Sequence, residues 1–337
     1  MDAPLWTETH APELSDLPQP EVREYLQKAV EEPINLVLYG PRGSGKTAAV
    51  RALAREAHED PDNDLVEINV ADFFQMTKKE ISEDPRFASF IDSKRRRNSS
   101  KADLINHVLK ESASYSPMSG SYKTIVLDNA EAIREDFQQA LRRVMERHHE
   151  TTQFVVTTRQ PTKLIPPIKS RCFPVAMREP TEDEIVEVLE PILDAEGAEY
   201  DEMGLQFVAG YARGDLRKAI LGAQLLYEQE GAVSTDAYEV LREFGVRGRI
   251  EEMLEAAEAG EFTDARKTLD DLLIDEGYSG GEVLEEMLDA ISRSNRYTGD
   301  RLAEAYRLAG DVDMDLAEGT SDRIHISHML AELGASE

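Results

Sequence analysis

Short apolar runs alternate with stretches of helical spacing over the first half of the chain. The run Ile34 to Tyr39 predicts a buried strand, and Leu65 to Val70, Thr124 to Leu127 and Phe154 to Thr158 predict three more. Between them the apolar positions recur every three to four residues. Gln19 to Val30 places Val22, Leu26, Ala29 and Val30 on one side, and Ala48 to Ala57 follows the first strand directly. Lys101 to Ser114 carries Leu104, Ile105, Val108 and Leu109 at the same spacing, and Arg134 to Arg147 is a further helix. Strand, helix and strand in alternation imply a parallel sheet, so the fold class is α/β, doubly wound, ending near Ala176. After Glu179-Pro180-Thr181 the pattern turns wholly helical. Glu182 to Ala195, Asp201 to Ala212 and Asp215 to Glu228 form a small three-helix unit, with Thr181 and Glu184 at capping-box spacing. Beyond Gly231 further helices are expected at Thr235 to Phe244, Ile250 to Ala259, Phe262 to Asp275, Ser279 to Ser292, Asp300 to Ala309 and Ser321 to Leu333.

The first predicted strand leads into Gly40, Pro41, Arg42, Gly43, Ser44, Gly45, Lys46 and Thr47, a complete P-loop. Strand, glycine turn and helix N-terminus come in the order a phosphate cradle needs, with Gly40 and Gly45 permitting the tight backbone path. The loop N–H groups and Lys46 are placed to hold phosphates, and the Thr47 hydroxyl to ligate Mg²⁺. The strand ending in Asp128 supplies the carboxylate expected to hold the metal's water shell.

Composition alters this picture in one respect. The 337 residues carry a formal charge of −29 with 41% hydrophobic residues, enough apolar content to fill two or three domains. Acid is spread along the whole chain and arginine outnumbers lysine. That is the surface of a protein kept soluble in very salty cytoplasm, and it speaks to habitat and solubility more than to fold. One cysteine, Cys172, excludes an internal disulfide framework and a Cys-rich zinc module. No apolar run approaches membrane-span length and no leader is expected, so a cytoplasmic location is the expectation. In so acidic a chain the cluster Lys94-Arg95-Arg96-Arg97, with Lys101 beyond it, reads either as a solvated loop tip or as a contact to phosphate backbones.

The ordered set of the P-loop, Ala140 to His148 (ALRRVMERH), Ile165 to Cys172 (IPPIKSRC), Gly214 to Ile220 (GDLRKAI) and Leu272 to Leu284 (LLIDEGYSGGEVL) resembles the small subunits of the replication clamp loader, replication factor C, within the AAA+ ATPases. The acidity suits a member from a halophilic archaeon. The resemblance implies an AAA+ P-loop nucleotide-binding domain over residues 1–177, a helical lid over 178–231 and a helical collar over 232–337. It implies a hetero-pentameric ring of clamp loader subunits that binds ATP with Mg²⁺ and loads a sliding clamp onto primer-template DNA. Arg171 matches the arginine finger that reaches a neighbour's ATP, and Arg217 matches the lid arginine that contacts nucleotide in its own subunit. Lys101, Arg142 and Arg143 are the candidates for the DNA channel.

Three positions depart from the family pattern. Asn129 stands where the family has the water-polarising Glu, and an amide is no general base. Arg159 stands at the sensor position, which usually holds Asn, and Ala11-Pro12 replaces an Arg-Pro pair. The expectation is therefore a subunit that binds ATP with weak hydrolysis of its own. The alternatives are a fully hydrolysing motor subunit, or another AAA+ DNA-processing ATPase such as a helicase loader.

Overall fold

The computed structural model describes residues 5–70, 73, 76–84, 99–118, 120–234, 241, 246–275, 278–319 and 321–335. The basic cluster Lys94 to Arg97 lies outside these residues, as does all but Leu241 of the helix expected at Thr235 to Phe244.

Five strands make one parallel sheet: β1 (Leu36–Tyr39), β2 (Leu65–Asn69), β3 (Lys123–Asp128), β4 (Thr152–Thr158) and β5 (Phe173–Ala176). They run in the order β2-β3-β4-β1-β5. In register, Tyr39 faces Thr158, Asn69 faces Asp128, and Leu127 faces Val156. The ends of β1, β3 and β4 therefore come out along one edge. The edge strand β5 was not predicted: its short apolar run is interrupted by Pro174, and three of its four residues are exposed, as suits an edge.

Side-chain alternation sorts the strands into two faces. Leu36 and Leu38 point toward α1 (Pro20–Glu31) and α2 (Lys46–Ala57), packing with Leu26, Leu53, Val126 and Val155. Val37 points the other way, into a core with Ile68, Ile125 and Phe154 under α3 (Lys101–Ser114) and α4 (Glu135–His148), which supply Leu104, Val108 and Leu141. Burying each such side chain stabilises by about 1.5–3 kcal/mol before chain entropy is counted. Helices on both faces of a parallel sheet are the expected doubly wound layering.

The lid helices are α5 (Glu182–Glu196), α6 (Glu202–Ala212) and α7 (Leu216–Glu230). The segment is not wholly helical, because β6 (Glu199–Tyr200) pairs in parallel with β7 (Ala232–Val233). Two-residue strands leave no periodicity to read. Gln19, buried in α1's N-cap position, ties the core to the lid linker: its amide donates to the Arg178 carbonyl at 2.8 Å and accepts from the Arg178 N–H at 3.0 Å. Trp6 adds a second tie, its backbone N–H donating to the Gln224 side-chain carbonyl at 2.9 Å and its ring lying 5.6 Å from that of Tyr227.

By compactness the chain falls into two units, Met1–Tyr227 with Gly231–Ser234, and Glu228–Glu230 with Thr235–Glu337. The second contains α8 (Val246–Glu258), α9 (Phe262–Asp270), α10 (Gly280–Arg293), α11 (Asp300–Glu318) and α12 (Asp322–Ala335) around Met253, Leu269, Met287, Val312 and Leu330. Two of these differ from expectation. α11 continues through Gly310 to Glu318, since Val312 and Leu316 carry its apolar face onward past the glycine. The helix expected to reach Asp275 ends at Asp270 and passes into a π-helical turn, Asp271–Asp275.

Candidate nucleotide-binding site

β1 ends at Tyr39 and the chain turns through the loop into α2, whose first residue is Lys46. Left-handed backbone at Gly43 (φ 70°) and Gly45 (φ 89°) makes that turn possible. Gly40 is needed for a different reason than expected: its backbone is ordinary, but a Cβ there would lie 1.8 Å from the Met177 carbonyl oxygen. Its N–H donates to the Thr158 carbonyl at 3.3 Å, which fixes the start of the loop to the end of β4. The Lys46 ammonium donates to the carbonyls of Gly40 at 2.9 Å and Pro41 at 2.6 Å, beside the buried Ser44, whose hydroxyl also donates to Pro41 at 3.0 Å. Arg42 is exposed at the loop crest.

Four side chains from three strand ends gather below the loop. Thr47 donates to the Asp128 carboxylate, 3.2 and 3.1 Å from its two oxygens, and Thr157 donates to the same carboxylate. Asn129 takes a left-handed conformation (φ 55°), its N–H donating to the Thr157 hydroxyl at 3.3 Å and its amide to Asn69 at 3.4 Å. A hydroxyl and a carboxylate side by side, next to a phosphate cradle, form the hard-oxygen set that Mg²⁺ uses when phosphates complete its shell. No cluster of three or more His, Cys, Asp or Glu among the described residues suggests a different metal.

Glu131 lies nearby and is nearly buried, its side chain 11% exposed. Its carboxylate accepts from the Thr158 hydroxyl at 2.9 Å, the Arg159 N–H at 3.2 Å and the Arg159 Nε at 2.9 Å. Burial pushes the Glu131 carboxyl upward, but these hydrogen bonds outweigh it and hold the group below the usual carboxylate range. Burial pushes the Lys46 ammonium below the usual lysine range, while the carboxylates of Glu131, Asp128 and Asp215 pull it upward and Arg159 presses it down. Lys46, Asp128, Glu131 and Arg159 thus share one electrostatic neighbourhood.

The lid closes on the loop from above. Leu216 N–H donates to the Gly43 carbonyl at 3.0 Å, and Asp215 caps α7 through the Lys218 N–H at 2.9 Å. Arg217, the second residue of α7, is exposed.

Arg171 sits elsewhere. It follows the one-turn helix Pro166–Lys169, and its carbonyl is held by the Asn35 amide at 3.3 Å while the next residue, Cys172, is buried. Its guanidinium donates to the Glu146 carboxylate of α4 and to the Pro167 carbonyl, the latter at 2.7 Å. Arg142 joins the same group, with Nε on Glu146 at 2.9 Å. Hydrogen bonds from Arg142, helped by the charges of Arg142 and Arg171, hold the Glu146 carboxyl below its usual range. Of the other two DNA candidates, Arg143 is exposed on α4, and Lys101 is half-buried at the start of α3. The structure therefore brings the P-loop residues, Thr47 and Asp128 together, with the lid's Asp215 and Leu216 against them, and sets Arg142 apart with Arg171.

Sequence reading missed Thr157, Thr158 and Glu146, because threonine in a strand reads as an ordinary β-former and a glutamate on a helix as surface. Asp215 had a signal, since it heads a helical run as an N-cap does.

Two family profiles match, Replication factor C C-terminal domain over residues 248–332 and DNA polymerase III, delta subunit over 19–181. The replication factor C small subunit of Halobacterium salinarum is 30% identical over 98% of this chain and 95% of its own length. That of Aeropyrum pernix is 32% identical over the same shares, 98% and 95%. Two solved structures share the fold: a DNA polymerase III gamma subunit-related protein of Thermotoga maritima, with 16% identity, a TM-score of 0.51 and coverage of 93% of this chain and 98% of that one, and the Orc1 protein of Aeropyrum pernix in complex with DNA, with 19% identity, a TM-score of 0.54 and coverage of 98% and 94%. With near-complete coverage at this identity, the chain belongs to the replication factor C small subunits, the clamp-loader family of AAA+ proteins.

Proposed function

We propose that this chain is a ring subunit that binds ATP in its P-loop, turns it over slowly, and lends Arg171 to the ATP site of a neighbouring subunit. The observation that carries the reading is Asn129. It follows Asp128 at the position of the usual base, and the nearby carboxylate of Glu131 spends its lone pairs on Thr158 and Arg159. A carboxylate so engaged is a poor proton acceptor.

Lys46 and the loop N–H groups bind the phosphates, and Arg217 approaches the nucleotide from the lid. Thr47 and Asp128 would hold Mg²⁺, which supplies charge neutralisation between phosphate oxygens. Arg171, braced by Glu146 and by the fixed backbone at Asn35, is presented from outside its own site, as a trans-acting cation must be. The partners are sibling subunits in a hetero-pentamer, a sliding clamp and primer-template DNA. Arg143 is the best-exposed of the DNA candidates. The division into nucleotide-binding, lid and collar domains at 1–177, 178–231 and 232–337 belongs to the same proposal, as does a cytoplasmic location. No helix among the described residues is long and apolar enough to cross a membrane.

Native mass spectrometry of the reconstituted ring, supplied with ATP, reads subunit stoichiometry and bound nucleotide together. The expected result is triphosphate retained on this subunit after its siblings carry diphosphate. Diphosphate on this subunit at the siblings' rate would overturn slow turnover.

A further inference from the structure

Two hydroxyls hold the Asp128 carboxylate. Thr47 reaches it from α2, and Thr157 of β4 donates its proton to Oδ1 of the same group. Thr157 stands in a row of core-facing positions. In register it lies beside Leu38, and Val155, two residues before it, packs with Leu36, Leu38 and Val126 in the core under α1 and α2. A β-branched aliphatic side chain fills such a position as well, so packing accounts for the shape of Thr157 and leaves its hydroxyl to be explained. The residue is fully buried, so that hydroxyl finds its partners within the protein.

Both of its hydrogen-bonding directions are assigned. The Asn129 N–H, turned by left-handed backbone, donates to the Thr157 oxygen at 3.3 Å, which commits a lone pair and leaves the single proton to Asp128. On the other side of β3, Asn69 lies beside Asp128 in register, but its side-chain oxygen accepts from the Asn129 amide at 3.4 Å. Thr47 is read above as a metal ligand itself, so the hydroxyl left to orient the carboxylate is that of Thr157.

We propose that Thr157 is a positioning residue for the metal: its hydroxyl fixes the rotation of the Asp128 carboxylate, so that Mg²⁺ arriving with nucleotide meets a carboxylate already aimed. The proposal rests on the P-loop reading above. Carboxylates that serve metals are themselves hydrogen-bonded, and loss of such an outer partner weakens metal binding about 10–100-fold. Asn129 gains a part here as well. It lacks the chemistry of a base, yet its backbone locks the hydroxyl that orients its neighbour.

The test is titration calorimetry of the intact chain with a non-hydrolysable ATP analogue, once with Mg²⁺ and once with EDTA. The ratio of the two affinities reads the metal's contribution. Thr157→Val, which keeps the shape and removes the hydroxyl, is expected to cut that ratio about tenfold and to leave the affinity in EDTA within about twofold of the parent's. Thr157→Ser, which returns the hydroxyl, is expected to restore the ratio. An unchanged ratio in Thr157→Val, an equal loss with and without Mg²⁺ of the kind a purely structural role gives, or a ratio that Thr157→Ser leaves low overturns the proposal. Should Thr157→Val melt too low to titrate, Thr157→Cys is read in its place. A thiol is a weak donor, so an undiminished ratio there also overturns it. Asp128→Asn separates the two levels: the parent's ratio retained in that variant contradicts the reading of Asp128 as a metal residue, whereas a ratio lost there and kept in Thr157→Val overturns the role of Thr157 alone.

Discussion

At the scale of single residues, backbone conformation explains choices that chemistry alone leaves odd. Asn129 occupies a left-handed conformation, which Asn tolerates and which costs a longer side chain about 1–2 kcal/mol. The missing base and the local backbone thus agree with each other. Gly43 is the sharper case, since a Cβ there would lie 2.1 Å from Asp215 Cγ and 2.7 Å from its Cα, at a φ of 70°. Gly43→Ala should lower stability by about 1–3 kcal/mol and weaken nucleotide binding, because loop or lid must move. Urea unfolding checks this, and an unchanged midpoint would show that the lid does not rest on the loop. The identities of Lys46, Thr47 and Asp128 were legible in the sequence, because a P-loop's function depends on residue type at fixed spacing. The partners Thr157, Thr158 and Glu146 were not, because they are selected by where the sheet and helix place them.

At the scale of elements, the pattern located β1 to β4 and α1 to α4 to within a residue or two, and α3 at its full extent, Lys101–Ser114. These elements bury a whole face, so their periodicity is strong. β6 and β7 were missed because two residues leave no period to read, and β5 because Pro174 breaks its apolar run and it buries a single residue. The capping box at the head of α5 was legible and is formed. The Thr181 hydroxyl accepts from the Glu184 N–H at 3.2 Å, and the Thr181 N–H donates to Glu184 at 2.9 Å. Arg178 grips the same Glu184 with two contacts of 2.6 Å, so the cap also anchors the linker between sheet and lid. Thr181→Ala should cost about 1 kcal/mol, and Thr181→Asp should recover most of it. Thermal unfolding of the two variants distinguishes a cap from a mere surface threonine, for which neither change would matter.

At the scale of the whole molecule, the proposed function divides binding and catalysis between chains. A charge of −29 keeps the surface hydrated and gives the few cationic groups that face ligands unusual weight. Lys46 and Arg159 lie beside this chain's own P-loop, whereas Arg171 and Arg142 converge on Glu146 at a separate place. The central claim is that this subunit holds nucleotide and completes another subunit's site. ATP turnover by assembled rings carrying either Lys46→Ala or Arg171→Ala in this chain tests it most directly. An arginine finger contributes about 10³–10⁵-fold at the site it serves, so Arg171→Ala should silence that site and take most of its turnover with it, while Lys46→Ala leaves the greater part of the ring's hydrolysis intact. Loss of as much hydrolysis with Lys46→Ala as with Arg171→Ala would contradict the account.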